Sequence, residues 1–124
     1  AVERIAAPHV AWPAAASLLF AGLYDGHGGS ACAAAIADTS SAASVHAHFA
    51  AAAALARGEV GTALTEAFAQ TDRAWLRDAE GNSGACALVA VVGGGSLVTA
   101  HVGDSRAVLC TGEAGKAVRL TEDH

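Results

Sequence analysis

The hydrophobic rhythm of the chain changes at Gly81-Asn82, and this switch limits the fold more than any other feature. Upstream, Val60, Leu64, Phe68, Trp75 and Leu76 recur at helical spacing and predict a helix from about Glu59 to Ala79 with those five residues on one face. Downstream, Ala87 to Val92, Ser96 to Val102, Ala107 to Cys110 and Ala117 to Leu120 are short and rich in Val and Leu, the pattern of strands. Gly93-Gly94-Gly95 and Thr111 to Lys116 read as hairpin connections, and Gly103-Asp104-Ser105-Arg106 as a tight turn. Nearer the start, the apolar run Leu18 to Tyr24 halts at Asp25-Gly26, as a buried strand would. An alanine-rich segment then predicts a helix beginning near Ser30. Asp38-Thr39-Ser40-Ser41 is either a break or a fresh N-cap before a second alanine stretch ending near Arg57-Gly58. Ala1 to Ser17, with Pro8 and Pro13, reads as an irregular or edge-strand lead-in. Helices come together and strands come together, which is an α+β order rather than the alternation of a doubly wound parallel sheet.

At 124 residues the chain has room for one domain. Its 34 alanines outnumber the 26 Leu, Ile, Val and Phe residues, so the expected core is thin, as in a part of a larger fold. A net charge of −5 and seven scattered basic residues argue against binding nucleic acid, which needs clustered cations to displace counterions. Neither long uncharged run is a good membrane span: Ile5 to Tyr24 contains Pro8, His9 and Pro13, and Thr39 to Ala56 contains His46, His48 and several hydroxyl residues. Cys32, Cys86 and Cys110 are odd in number and show no CxxC, so reduced thiols are expected, together with an intracellular, cytoplasmic or nuclear location. The chain begins at Ala1 without a methionine, which leaves room for a lost targeting signal.

Asp25-Gly26-His27-Gly28-Gly29 puts a carboxylate and an imidazole at the end of a strand among glycines whose carbonyls are sterically open. Carboxylate, carbonyl and water oxygens suit a hard cation such as Mg²⁺ or Mn²⁺. The same residues also make an ordinary Asp-Gly turn feeding a helix. They fit G-x-G-x-x-A as well, the pattern that cradles a dinucleotide pyrophosphate, although Asp25 would set negative charge beside it and the acidic ribose contact about 20 residues on is missing. Gly103-Asp104-Ser105-Arg106-Ala107 is either a hairpin turn or a nucleophile elbow of the G-x-S-x-G type, but an elbow joins a strand to a helix and here strands flank both sides. His46 and His48, two residues apart on a helix, point to different faces. His9 and His101 stand alone, and Cys86 and Cys110 sit in strand patterns where small buried thiols are common.

Leu23 to Gly29, Ser83-Gly84-Ala85, Val102 to Ala107 and Leu120 to His124 are ordered and spaced as in the PPM/PP2C family of metal-dependent protein phosphatases, which the chain resembles over most of its length. The resemblance implies a four-layer α-β-β-α sandwich, here incomplete, with residues 1–124 as the N-terminal portion of a phosphatase domain. It implies hydrolysis of phosphoserine and phosphothreonine in phosphoprotein substrates by the complete domain, through a hydroxide bridging two Mg²⁺ or Mn²⁺ ions, so that Ser105 need not be a nucleophile. Asp25 then resembles the bridging carboxylate, Gly26 the carbonyl ligand, His27 the general acid for the leaving alkoxide, and Asp104 an acid near an additional metal position. Asp123 and His124 resemble the end of a structural strand motif. The family's upstream acidic pair has its best counterpart in Glu3, 22 residues before Asp25, with Arg4 replacing the second acid. The later Asp-Gly and Asp-Asn motifs that supply further metal carboxylates lie beyond His124, so the segment alone is expected to be inactive. The alternative is a non-catalytic pseudophosphatase or truncated interaction module. A homodimer or swapped assembly would cover the sheet left open by the missing half.

Overall fold

The computed structural model describes residues 2–5, 17–78, 81–112 and 115–124. In chain order the elements are β1 (Val2–Ile5), β2 (Leu19–His27), α1 (Ala31–Ala37), α2 (Val45–Ala51), α3 (Ala53–Ala56), α4 (Val60–Asp78), β3 (Gly84–Gly93), β4 (Ser96–Val102), β5 (Val108–Thr111) and β6 (Lys116–Arg119). Pro8, His9 and Pro13 of the lead-in lie outside the described residues, and β1 forms the edge strand expected there.

Among the described residues, four strands make one antiparallel sheet in the order β1-β4-β3-β2, and β5 pairs with β6 in a separate hairpin. An all-antiparallel sheet has no βαβ unit, so the glycine pattern after β2 does not open a dinucleotide-binding fold. The turn after β4 leads into β5, not into a helix, which removes the nucleophile elbow.

β2 differs from expectation in two ways. It runs through Asp25 to His27 instead of halting, because Asp25↔Cys86, Gly26↔Ala85 and His27↔Gly84 continue the ladder to β3. It is also an outer strand and only its helix-facing side is covered: Phe20 and Tyr24 pack on the core, whereas Leu19, Leu23 and Asp25 are exposed.

The second alanine stretch is two helices, divided at Ala52, whose extended backbone (ψ 125°) interrupts the ladder. Its N-cap is Ser44, which accepts from the Ala47 amide at 3.2 Å, while Asp38 closes its own turn onto Ser40. In α4 the buried stripe is Val60, Ala63, Leu64, Ala67, Thr71 and Ala74. Leu76, expected on that face, is 70% exposed, being about 200° around the helix from Ala74.

The core lies between these helices and one face of the sheet. Leu64, Val45, Val60, Val89, Val91 and Val98 are fully buried there. Ala54, Ala63, Ala67 and Ala100 fill the remaining space, so the backbones sit close and each such contact buries little carbon, at about 0.8 kcal/mol per CH₂. On the opposite face His101 and Thr99 are buried, with His101 under the chain's tail, but Leu19, Leu23 and Val92 remain exposed.

Candidate functional site

The end of β2, the start of β3 and the end of β4 meet at one end of the sheet, because β2 to β4 are antiparallel neighbours with His27 opposite Gly84 and Ala87 opposite Val102. The sequence motifs at 25–29, 83–85 and 102–107 are thereby gathered, and the tail motif closes onto the third.

Asp25 and His27 are exposed on the sheet face away from the helices. Gly26, between them, faces α1, where a Cβ would come within 3.2 Å of the Ala33 Cβ and 3.0 Å of the Gly29 carbonyl oxygen. The strand therefore approaches the helix closely at that residue. The His27 ring lies over Gly84, whose missing side chain makes the space: a Cβ there would sit 2.5 Å from His27 Nε2.

Cys86 links the two acidic motifs. It stands directly opposite Asp25 in the ladder, where paired residues share a face with Cβ atoms about 4.5–5.5 Å apart. Its thiol donates to Asp104 Oδ1 at 3.3 Å. Gly103 holds this arrangement in two ways. Its φ of +91° is disfavoured for residues with a side chain, and any Cβ would run into the Cys86 sulfur. Asp25 and Asp104 thus flank one thiol. The residue pattern marks Cys86 only as a small strand residue, because its place opposite Asp25 depends on strand register, which that pattern does not encode. Cys110, placed by the same pattern, is exposed.

Ser83 fastens the neighbouring loop. The first turn of α1 has no side-chain cap from Ser30, and the Cys32 amide instead donates to Ser83 Oγ at 3.3 Å. The Trp75 indole donates to the Ser83 carbonyl at 3.1 Å, so α1, α4 and β3 share this residue.

Asp123 and His124, which the resemblance places at the end of a structural strand motif, lie past the end of β6. Arg106 donates from Nε to Asp123 Oδ1 at 2.9 Å and Oδ2 at 3.2 Å and from Nη2 to Oδ2 at 2.5 Å, and Arg119 adds a bond at 2.7 Å. The bonds from Arg106, then the charges of both guanidiniums, hold the Asp123 carboxyl below the usual aspartate range. The Ala107 amide donates to Thr121 Oγ1 at 3.0 Å and the His124 amide to the Gly103 carbonyl at 3.2 Å. His101 Nε2 lies 2.7 Å from the Glu122 carbonyl, and its ring stacks on His124 at 4.7 Å. Arg119 and Thr121 carried no sequence signal for this clasp.

Other residues do not join the site. β1 lies on the opposite edge from β2, and Glu3 pairs with Thr99, which is level with Ala90 and Ala21 rather than with Asp25. Three strand spacings, about 14 Å, separate the backbones of β1 and β2. His46 rests edge-on against Phe20 at 5.1 Å, and His48 Nε2 meets the Ala42 carbonyl at 3.0 Å, so the two histidines do face apart. Among the described residues no three His, Cys, Asp or Glu side chains converge as a ready metal cage, and no helix is long and apolar enough to cross a membrane.

The family model "Protein phosphatase 2C" matches residues 11–124 and so begins after Glu3. Protein phosphatase 2C homolog 2 of Aspergillus fumigatus is 40% identical over 110 residues, covering 86% of this chain and 24% of its own. Probable protein phosphatase 2C 14 of Arabidopsis thaliana is 37% identical over 107 residues, covering 85% of this chain and 22% of its own. Probable protein phosphatase 2C 57 of Oryza sativa subsp. japonica is 46% identical over 70 residues, 53% of this chain and 18% of its own. The chain spans about a quarter or less of the curated relatives it matches. No solved structure matches it.

Proposed function

The chain belongs to the protein phosphatase 2C family, and from that premise we propose that it carries one side of the active site of a phosphoserine/phosphothreonine protein phosphatase dependent on Mg²⁺ or Mn²⁺. The observation that supports this reading best is the meeting of Asp25-Gly26-His27 and Asp104 at one end of the sheet, joined through Cys86.

The donor set fits a hard cation: two exposed carboxylates and a backbone carbonyl at a glycine whose position is dictated by packing on α1. Asp25 and the Gly26 carbonyl would hold the metals, with Asp104 at a further position. Bound there, the ions would stabilise charge on the phosphoryl oxygens and lower the pKa of a water. His27, exposed over Gly84, would supply the proton that the departing serine or threonine alkoxide requires, a contribution of about 10²–10⁴ in rate. Ser105 has no part in this chemistry. Glu3, at the far edge of the sheet, is left out of the site.

A non-catalytic interaction role is the second reading for the chain by itself, because its described residues hold two metal carboxylates and no third side-chain ligand beside them. Release of phosphate from a phosphothreonine peptide in Mn²⁺ tests both. This chain alone should give negligible turnover. A protein carrying it within a domain of the relatives' length should be active and lose activity on Asp25→Ala, and His27→Ala should slow poor leaving groups more than good ones. An Asp25→Ala domain with full activity would refute the proposal.

A further inference from the structure

A cleft of about 300 Å³ opens beside His27, between α1, α4 and the ends of β3 and β4. Its walls are mainly apolar, with Phe68 and Trp75 among them, and polar residues including Thr71 and Asp72 break this surface. Thr71 is more than nine-tenths buried and its hydroxyl has no hydrogen-bond partner among the described residues. Asp72 is exposed at the rim and brings the carboxylate that lines the cleft. Cys32 lies at the other wall, and its thiol is pushed up first by burial and then by the charge of Asp72, so that carboxylate is felt across the cavity.

Resting on the phosphatase reading above, we propose that this cleft takes the side chain of a basic residue, arginine or lysine, that flanks the phosphorylated residue of a protein substrate. The apolar walls suit the aliphatic stem of such a side chain, which carries its charge at the tip. The faces of Phe68 and Trp75 attract a cation, and Asp72 pairs with it. The Thr71 hydroxyl, with a free lone pair, accepts one of its N–H groups. Because His27, at the end of β2, borders the same cleft, a residue anchored there is held next to the group that would supply the proton to the leaving alkoxide. A neutral side chain of the same shape would leave the Asp72 charge unpaired, so the pocket selects for charge as well as for length.

Direct binding separates this inference from the catalytic one. The chain has two tryptophans, and Trp12→Phe leaves Trp75 as the only indole reporter. N-acetyl-arginine methylamide and its neutral citrulline counterpart are titrated against that variant while fluorescence is followed. The arginine probe should saturate with a Kd at least about threefold below that of the citrulline probe, as one partly exposed ion pair would give. Asp72→Asn should collapse the difference, and Thr71→Val should weaken the arginine probe, with circular dichroism verifying that each variant is folded. Equal affinity for the two probes, or no saturable change in a folded protein, would overturn the proposal. Neither readout requires hydrolysis, so a failed phosphatase assay leaves this test intact, and an active phosphatase whose cleft ignores charge sinks this inference alone.

Discussion

Replacing Gly84 with alanine sets a Cβ 2.5 Å from His27 Nε2 and 2.9 Å from Cε1, so ring and methyl cannot share the space. Gly84 is not among the glycines with positive φ, and its backbone accepts alanine without strain. Alanine in a strand gains about 0.5–1 kcal/mol over glycine. The ring is the mobile end of an exposed side chain and can turn aside, at about 0.5–1.5 kcal/mol if it leaves its rotamer well. These two effects nearly cancel, and Gly84→Ala should change stability by less than about 1 kcal/mol. In a His27→Ala background only the gain remains. The cycle of wild type, both single variants and the double variant should therefore show a coupling of about 0.5–1.5 kcal/mol. Urea unfolding of the four proteins reads this as a midpoint difference of roughly 0.3–0.7 M at an m-value near 2 kcal/mol/M. The His27 ring resonances should move in Gly84→Ala. The same increment for Gly84→Ala in both backgrounds, or an unmoved ring, would refute the contact and with it the role of Gly84 in aiming the imidazole.

Leu64→Ala removes a fully buried side chain in the second turn of α4 and should cost about 2–5 kcal/mol in urea unfolding, whereas a loss below about 1 kcal/mol would mean that α4 is not seated on the sheet. The Asp123 carboxyl is held low by Arg106 and Arg119, so its clasp is fully present above the ordinary aspartate pKa of about 3.9 and is lost as pH falls through the lower folded value; the His124 amide should lose protection only in that acid range, and Asp123→Asn should abolish the step. Leu19, Leu23 and Val92, exposed to 67%, 57% and 44%, form an uncovered apolar strip on the outer sheet face. Light scattering of this chain should accordingly give a homodimer or swapped assembly, and a folded monomer at micromolar concentration would show that the strip needs no cover.

The element types and their order were legible because each rests on local physics. Period-3.6 spacing from Val60 onward made α4, and Val-rich runs after Gly81 made β3 to β6. What was not legible depends on contacts distant in sequence. β2 extends through His27 only because β3 offers glycine and alanine opposite, and Leu76 reads as core until small residues such as Ala63, Ala67 and Ala74 are seen to form the buried stripe. Asp25, Gly26, His27 and Asp104 could be named from motifs, but their placement around Cys86 requires the register of three strands. Glu3 has only its distance from Asp25 to recommend it, and residue spacing does not encode which edge of a sheet a strand joins.

Ser83 accepts two hydrogen bonds from other elements, the Cys32 amide on its hydroxyl and the Trp75 indole on its carbonyl. In a hydrogen-exchange experiment such protons do not report on separate helices. A fluctuation that lifts the end of α4 frees the indole and moves Ser83, which in turn uncovers the first turn of α1 just after the His27 loop. The two sites should therefore exchange with deuterium at a common rate, as one cooperative unit. Ser83→Ala, which deletes only the hydroxyl, should uncouple their clocks and let the α1 amide run fast while the indole keeps its pace.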